Sequence, residues 1–106
     1  MRDVVRKRIG IDLDNTLCEG EHWESPGECL TAVPIKNRIA RINALYEKHF
    51  VIIYTARQNH LISSTLEWLD RNGVKYHAIS NRKVPFDILI DNTAYWPWEK
   101  RDDLPL

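Results

Sequence analysis

The stretch Phe50-Val51-Ile52-Ile53-Tyr54 is apolar or aromatic at every position. A strand with one wet face alternates apolar and polar side chains, so a run without alternation reads as buried on both faces. Such strands belong to parallel sheets covered by helices, because a parallel crossover is long enough to carry one. The flanking sequence supplies the helices. Ile35, Ile39, Ile42, Leu45 and Tyr46 recur at helical spacing, in a helix that Pro34 opens. Leu61, Ile62, Thr65, Leu66 and Leu69 repeat the pattern, with Asn59 as cap, Gly73 as stop and Trp68 at the edge of the apolar face. Ile9 to Leu13, Val74 to Ile79 and Phe86 to Ile90 read as three further strands. This alternation predicts an α/β fold: a three-layer, Rossmann-like domain with a four-stranded or slightly larger parallel sheet. With 106 residues, residues 1–106 form one domain with one core.

The strand ends carry the chemistry. Ile9-Gly10-Ile11 runs into Asp12-Leu13-Asp14-Asn15-Thr16. Asp12 and Asp14 share one face while the strand lasts, and beyond it both can reach one small volume. Two carboxylates at the end of an apolar strand are costly unless something binds them, and oxygen donors suit a hard divalent cation. A solvated Asp-Asn turn is the plain alternative. The second strand ends in Thr55-Ala56-Arg57, a hydroxyl and a guanidinium suited to an anion. The last ends in Asp91-Asn92, with Lys83 ahead of it. Parallel strands bring their carboxyl ends to one edge, where open α/β sheets bind ligands. Carboxylates to hold Mg2+, cations and hydroxyls to bind phosphate and a carboxylate free to attack phosphorus make a set for phosphoryl transfer.

Zero formal net charge argues against a general nucleic-acid binder, although Arg2, Arg6, Lys7 and Arg8 form a short basic lead-in. No apolar stretch approaches a membrane span and no signal-peptide pattern opens the chain, so the expected location is the cytoplasm. The two cysteines, Cys18 and Cys29, lack zinc spacing and read as free thiols. Cys18 lies close enough to the acidic pair to line its site, but no histidine relay stands beside it to make it a nucleophile.

Residues 18–34 read as a short flap at the rim of that site, with Trp23 either closing over a ligand or packed on the flap's own base. His77 has no obvious partner and reads as a structural or surface residue. Asp87 lies at the wrong strand end for the site and reads as structural, or as a partner for Arg82 or Lys83. Tyr95, Trp96 and Trp98 make the C-terminal tail aromatic enough to dock on the body or on a second subunit, which suggests a homodimer.

These residues resemble the haloacid dehalogenase-like superfamily. Asp12-Leu13-Asp14-Asn15-Thr16 matches its first motif, Thr55 its second, Lys83 (with Arg82 beside it) its third and Asp91 its fourth. The resemblance spans nearly the whole chain. It implies a Mg2+-dependent phosphomonoesterase, with Asp12 as nucleophile and Asp14 as general acid and base. Asp12, the backbone carbonyl of Asp14 and Asp91 would hold the metal. Thr55 and Lys83 would hold the phosphoryl group, with Thr16 and Arg57 placed to assist. Many relatives carry a second acid where this chain has Asn92; the amide could hold a metal-bound water. The flap is too short for a cap domain, so the chain resembles capless members. It also resembles small bacterial or phage members associated with capsule or polysaccharide biosynthesis, which suggests a sugar phosphate or similar small phosphorylated substrate. Two alternatives stay open: a catalytically weak binding or regulatory module, and a phosphatase for 3′-phosphorylated nucleic-acid ends.

Overall fold

The computed structural model describes residues 6–82 and 85–91. The elements are β1 (Arg8–Asp12), α1 (Pro26–Leu30), α2 (Lys36–Tyr46), β2 (Phe50–Tyr54), a 3-10 turn (Asn59–Leu61), α3 (Ile62–Arg71), β3 (Ala78–Ser80) and β4 (Ile88–Ile90). The four strands form one all-parallel sheet in the order β3-β2-β1-β4. This is the Rossmann-like α/β architecture expected.

Register divides the sheet into two faces. Ile9 pairs with Val51 and Ile88, and Ile11 pairs with Ile53 and Ile90, so these side chains share one face. They join Ile39, Ile42 and Leu45 of α2 and Trp68 and Leu69 of α3 in the core. The steps from β1 to β2 and from β2 to β3 go the same way across the sheet, and right-handed crossovers then put both helices on that face. Trp68, expected at the edge of its helix face, is fully buried, and its indole N–H donates to the Ala32 carbonyl (2.8 Å). On the other face the Phe86 ring lies against Gly10, where an added Cβ would stand 2.7 Å from the ring.

Several boundaries move for identifiable reasons. α2 begins at Lys36 rather than Pro34, because the chain before it is used to close the flap. The Glu19 amide donates to the Val33 carbonyl and the Ile35 amide to the Leu17 carbonyl (both 2.8 Å). Proline's tolerance of a first helical turn operates instead at Pro26, in a short helix inside the flap. Ser25 caps that helix by accepting from the Glu28 amide (3.3 Å). Asn59 caps nothing; its side-chain oxygen accepts from Asn81 (2.6 Å). β3 starts at Ala78 rather than Val74. The Asn43 side chain donates to the Gly73 carbonyl and accepts from the Lys75 amide, which holds this backbone away from the sheet. Gly73, at φ +66°, does end α3, the left-handed conformation that glycine adopts without strain.

His77 has partners after all. Its Nδ1 accepts from the Val51 amide (3.0 Å), and its ring stacks between those of Tyr46 and Phe50. Asp87 is a partner for Arg8, accepting from its backbone amide (2.6 Å), rather than for Arg82. Lys83, Asn92 and the aromatic tail lie outside the described residues.

Candidate active site

β1 ends in a tight turn around one acceptor. The amides of Thr16, Leu17 and Cys18 all donate to the Leu13 carbonyl, at 3.1, 2.8 and 3.4 Å. The turn requires Asn15 in the left-handed region at φ 60°, which asparagine tolerates better than most residues. The Asn15 side-chain oxygen then accepts from the Gly20 amide (2.9 Å) and fixes the start of the flap. From α2, the Arg38 guanidinium donates to the carbonyls of Asn15 and Thr16 (3.2 and 3.4 Å). Nothing in the apolar spacing of α2 points to that contact. A cation in a first turn opposes the helix dipole, and these carbonyl acceptors offset that cost.

The sheet then gathers the strand ends. Asp12 pairs with Tyr54, so Thr55 follows one residue later on β2. Ile11 pairs with Ile90, so Asp12 and Asp91 follow together on neighbouring strands. Asp12, Asp91, Thr16 and Thr55 thus meet at the carboxyl edge, with Thr16 and Thr55 fully buried. The Thr16 hydroxyl faces the Asp12 carboxylate at 3.5 Å. Burial pushes the Asp12 carboxyl up to about 6, and the charges of Asp14 and Asp91 push the same way against the Leu13 amide and Thr16.

Asp14 is placed differently. Its Oδ1 accepts from Arg57 Nη2 (2.7 Å), Arg57 Nε (3.2 Å) and the Trp23 indole N–H (2.7 Å). Arg57 is 5 % exposed, and its Nη1 donates to the Thr65 hydroxyl (2.8 Å). The guanidinium expected at a phosphate is therefore directed at Asp14 and Thr65. Trp23 takes the second of its two expected positions, packed at the flap base against Gly20, and its ring also lies over Arg57, whose guanidinium carbon is 5.5 Å from the ring centroid. Thr65 read as part of an apolar helix face; a hydroxyl there was the signal that a buried polar partner existed. Cys18 lines the site, with Sγ 3.7 Å from Asp14 Oδ1. Burial, aided by the Asp14 charge, pushes its thiol up to about 12, which keeps it protonated and unreactive.

Beside Asp14 a cleft of about 450 Å³ opens between the flap and the segment after β2. Trp23, Arg57 and Gln58 line it, with Glu21, Glu24 and His60 around them.

The donors at the strand ends are all oxygens, the chemistry that suits Mg2+. No group of three or more His, Cys, Asp or Glu side chains is arranged to hold a metal among the described residues. The Asp14 carboxylate faces Arg57, which leaves two carboxylate side chains, Asp12 and Asp91, at the edge. A Mg2+ ion commonly takes one or two carboxylates and completes its shell with water and substrate, so the donor set fits.

No family model and no curated protein matches this sequence. Solved structures do. A conserved protein from Bacteroides thetaiotaomicron superposes with a TM-score of 0.66 at 22% identity, over 88% of this chain and 83% of that one. A chain in a structure of the Pnkp1/Rnl/Hen1 RNA repair complex superposes with a TM-score of 0.61 at 16% identity, over 92% of this chain and 30% of that one. A second structure of that complex gives 0.58 at 16% identity. At these identities the likeness is one of fold. This chain spans under a third of the RNA repair chain's length.

Proposed function

We propose that the chain is a Mg2+-dependent phosphomonoester hydrolase acting on a small phosphorylated metabolite, such as a sugar phosphate. The observation that carries this is the division of labour at the carboxyl edge. Asp12 stands beside Asp91 and two buried hydroxyls, while Asp14 is held two residues on by Arg57 and Trp23.

In this reading an Asp12 carboxylate oxygen attacks phosphorus and forms an aspartyl-phosphate, and the bond from phosphorus to the ester oxygen breaks. Asp14 gives its proton to the departing oxygen. Water then attacks phosphorus, Asp14 takes a proton from it, and the bond to Asp12 breaks to release inorganic phosphate. Thr16 and Thr55 offer hydroxyl donors to the phosphoryl oxygens, and Lys83 adds a cation. Arg57 and Trp23 orient Asp14. Asp12, the Asp14 carbonyl and Asp91 would hold Mg2+, with Asn92 in its outer shell. The ion would supply positive charge to phosphoryl oxygens that resist a negatively charged nucleophile.

The test is thermal. Beryllium fluoride with Mg2+ mimics a phosphorylated aspartate and should raise the melting temperature of the wild type but not of Asp12→Asn. Equal shifts, or none, would remove Asp12 from the role of nucleophile and favour a weak binding module. A second reading, phosphatase action on nucleic-acid ends, draws on the fold likeness to a chain of an RNA repair complex. It requires faster turnover of a 3′-phosphorylated oligonucleotide than of a sugar phosphate, with a rate that falls as salt rises.

A further inference from the structure

The cleft beside Asp14 is more than the space left by a short flap. Among the described residues, Asp14 is the carboxylate shared by the catalytic edge and the cleft wall. A general acid protonates the departing oxygen, so whatever is attached to that oxygen must lie on the Asp14 side. We infer that this cleft receives the leaving group, and that Glu21 and Glu24 at its rim make the site selective for a neutral, hydroxyl-rich sugar over one bearing further negative charge. The inference rests on the phosphatase reading above.

Three observations carry it. First, the cleft is of the size that small-molecule sites usually have, about 450 Å³. Second, its charges do not balance. Arg57, its one guanidinium among the described residues, is ion-paired with Asp14 at 2.7 Å, and His22, whose Nε2 lies 3.6 Å from a Glu21 oxygen, offsets that carboxylate only when protonated, so with a neutral imidazole Glu21 and Glu24 set the sign of the wall. A second phosphate, or the backbone of a nucleic acid, would have to lie against them. Third, the uncharged groups suit hydroxyls. Gln58 and His60 offer donors and acceptors, and Trp23 offers an aromatic surface to a sugar's C–H face.

The experiment compares leaving groups at pH 8 with Mg2+ present. Glucose 6-phosphate should be hydrolysed with a kcat/KM at least about tenfold above that for glucose 1,6-bisphosphate or a 3′-phosphorylated oligonucleotide. Because the discrimination is electrostatic, raising NaCl from about 0.05 to about 0.5 M should narrow it. The double variant Glu21→Gln, Glu24→Gln should bring the ratio to within about threefold. Both glutamates are exposed, so the variant should fold, which circular dichroism would verify. If the wild type hydrolyses the bisphosphate or the oligonucleotide as fast as the monophosphate, the leaving-group assignment falls while the phosphatase reading stands. The same holds if the double variant keeps the full ratio. If phenyl phosphate, whose leaving group tests neither charge nor hydroxyls, is not hydrolysed at all, both fall together.

Discussion

Asp12 and Asp14 are the same residue type, two positions apart, and the fold treats them in opposite ways. Asp12 sits at the end of β1, beside Asp91 and against a buried floor, and its carboxyl is pushed up to about 6. Asp14, just past the strand, takes hydrogen bonds from a buried guanidinium and an indole. The first carboxylate has only neutral donors, the Leu13 amide and the Thr16 hydroxyl at 3.5 Å, and the second has a charged one. A nucleophile has to keep its lone pairs available, whereas an acid–base group has to keep its orientation through two proton transfers. On the proposed reading, that difference is what separates the two roles.

The largest effect should come from the nucleophile. Asp12→Asn should lower turnover of a phosphate ester by more than about 10³-fold, since an amide does not attack phosphorus. Steady-state rates with Mg2+ check this, and a variant that kept a tenth of the wild-type rate would undo the distinction between the two carboxylates. Next is the clamp. Arg57→Ala leaves Asp14 facing an empty, largely buried space and should cost about 3 kcal/mol of stability, read from urea midpoints. If that variant does not fold, Arg57→Lys keeps the charge but loses the fork. It should fold and lose kcat far more than KM, as expected of a residue that positions Asp14.

Stability sharpens the comparison because its sign should differ at the two sites. An acid raised in the folded state holds its proton more tightly there than in the unfolded chain. The stability it contributes is complete below about pH 4 and is lost as pH rises through about 6. Without metal, Asp12→Asn should therefore melt higher than the wild type at pH 7.5, by about 1 kcal/mol after allowing for solvent screening, and match it near pH 4. Mg2+ should shrink the gap by stabilising only the wild type. Asp14→Asn should melt lower instead, by about 1–2 kcal/mol, because it removes the charge opposite a buried guanidinium. Paired melts across pH would read both, and a common sign would end the contrast.

Much of this geometry was legible in the sequence because it follows from parallel strands. Once Phe50–Tyr54 reads as doubly buried, the residues after each strand must share an edge, and Asp12, Thr55 and Asp91 follow. The Arg57–Asp14 pair was not legible. A strand pattern tells where a side chain starts, but a guanidinium reaches far enough to choose among several acceptors. That choice depended on Thr65, hidden among apolar residues of α3, and on a flap whose one-turn helix has too few residues to show a period. The boundaries of α2 and β3 shifted for a similar reason, since side-chain and flap contacts such as those of Asn43 competed with strand pairing and helix capping for the same backbone groups.

The smallest expected effect bears on the flap. Trp23 touches Asp14 through a single indole N–H at 2.7 Å and touches Arg57 through its ring. Trp23→Phe removes the first contact and keeps most of the second. Arg57 still holds Asp14 and satisfies its charge, so the loss should be near that of one ordinary hydrogen bond, about 1 kcal/mol, or roughly fivefold in kcat. The melting temperature should change little. Trp23→Ala should lose more, because the ring also packs against Gly20 at the flap base. Should Phe and Ala cost the same, the hydrogen bond rather than the ring would be what ties the flap to Asp14. Should Phe cost nothing, Arg57 would be the whole of the clamp, and the contrast between the two aspartates would rest on the ion pair alone.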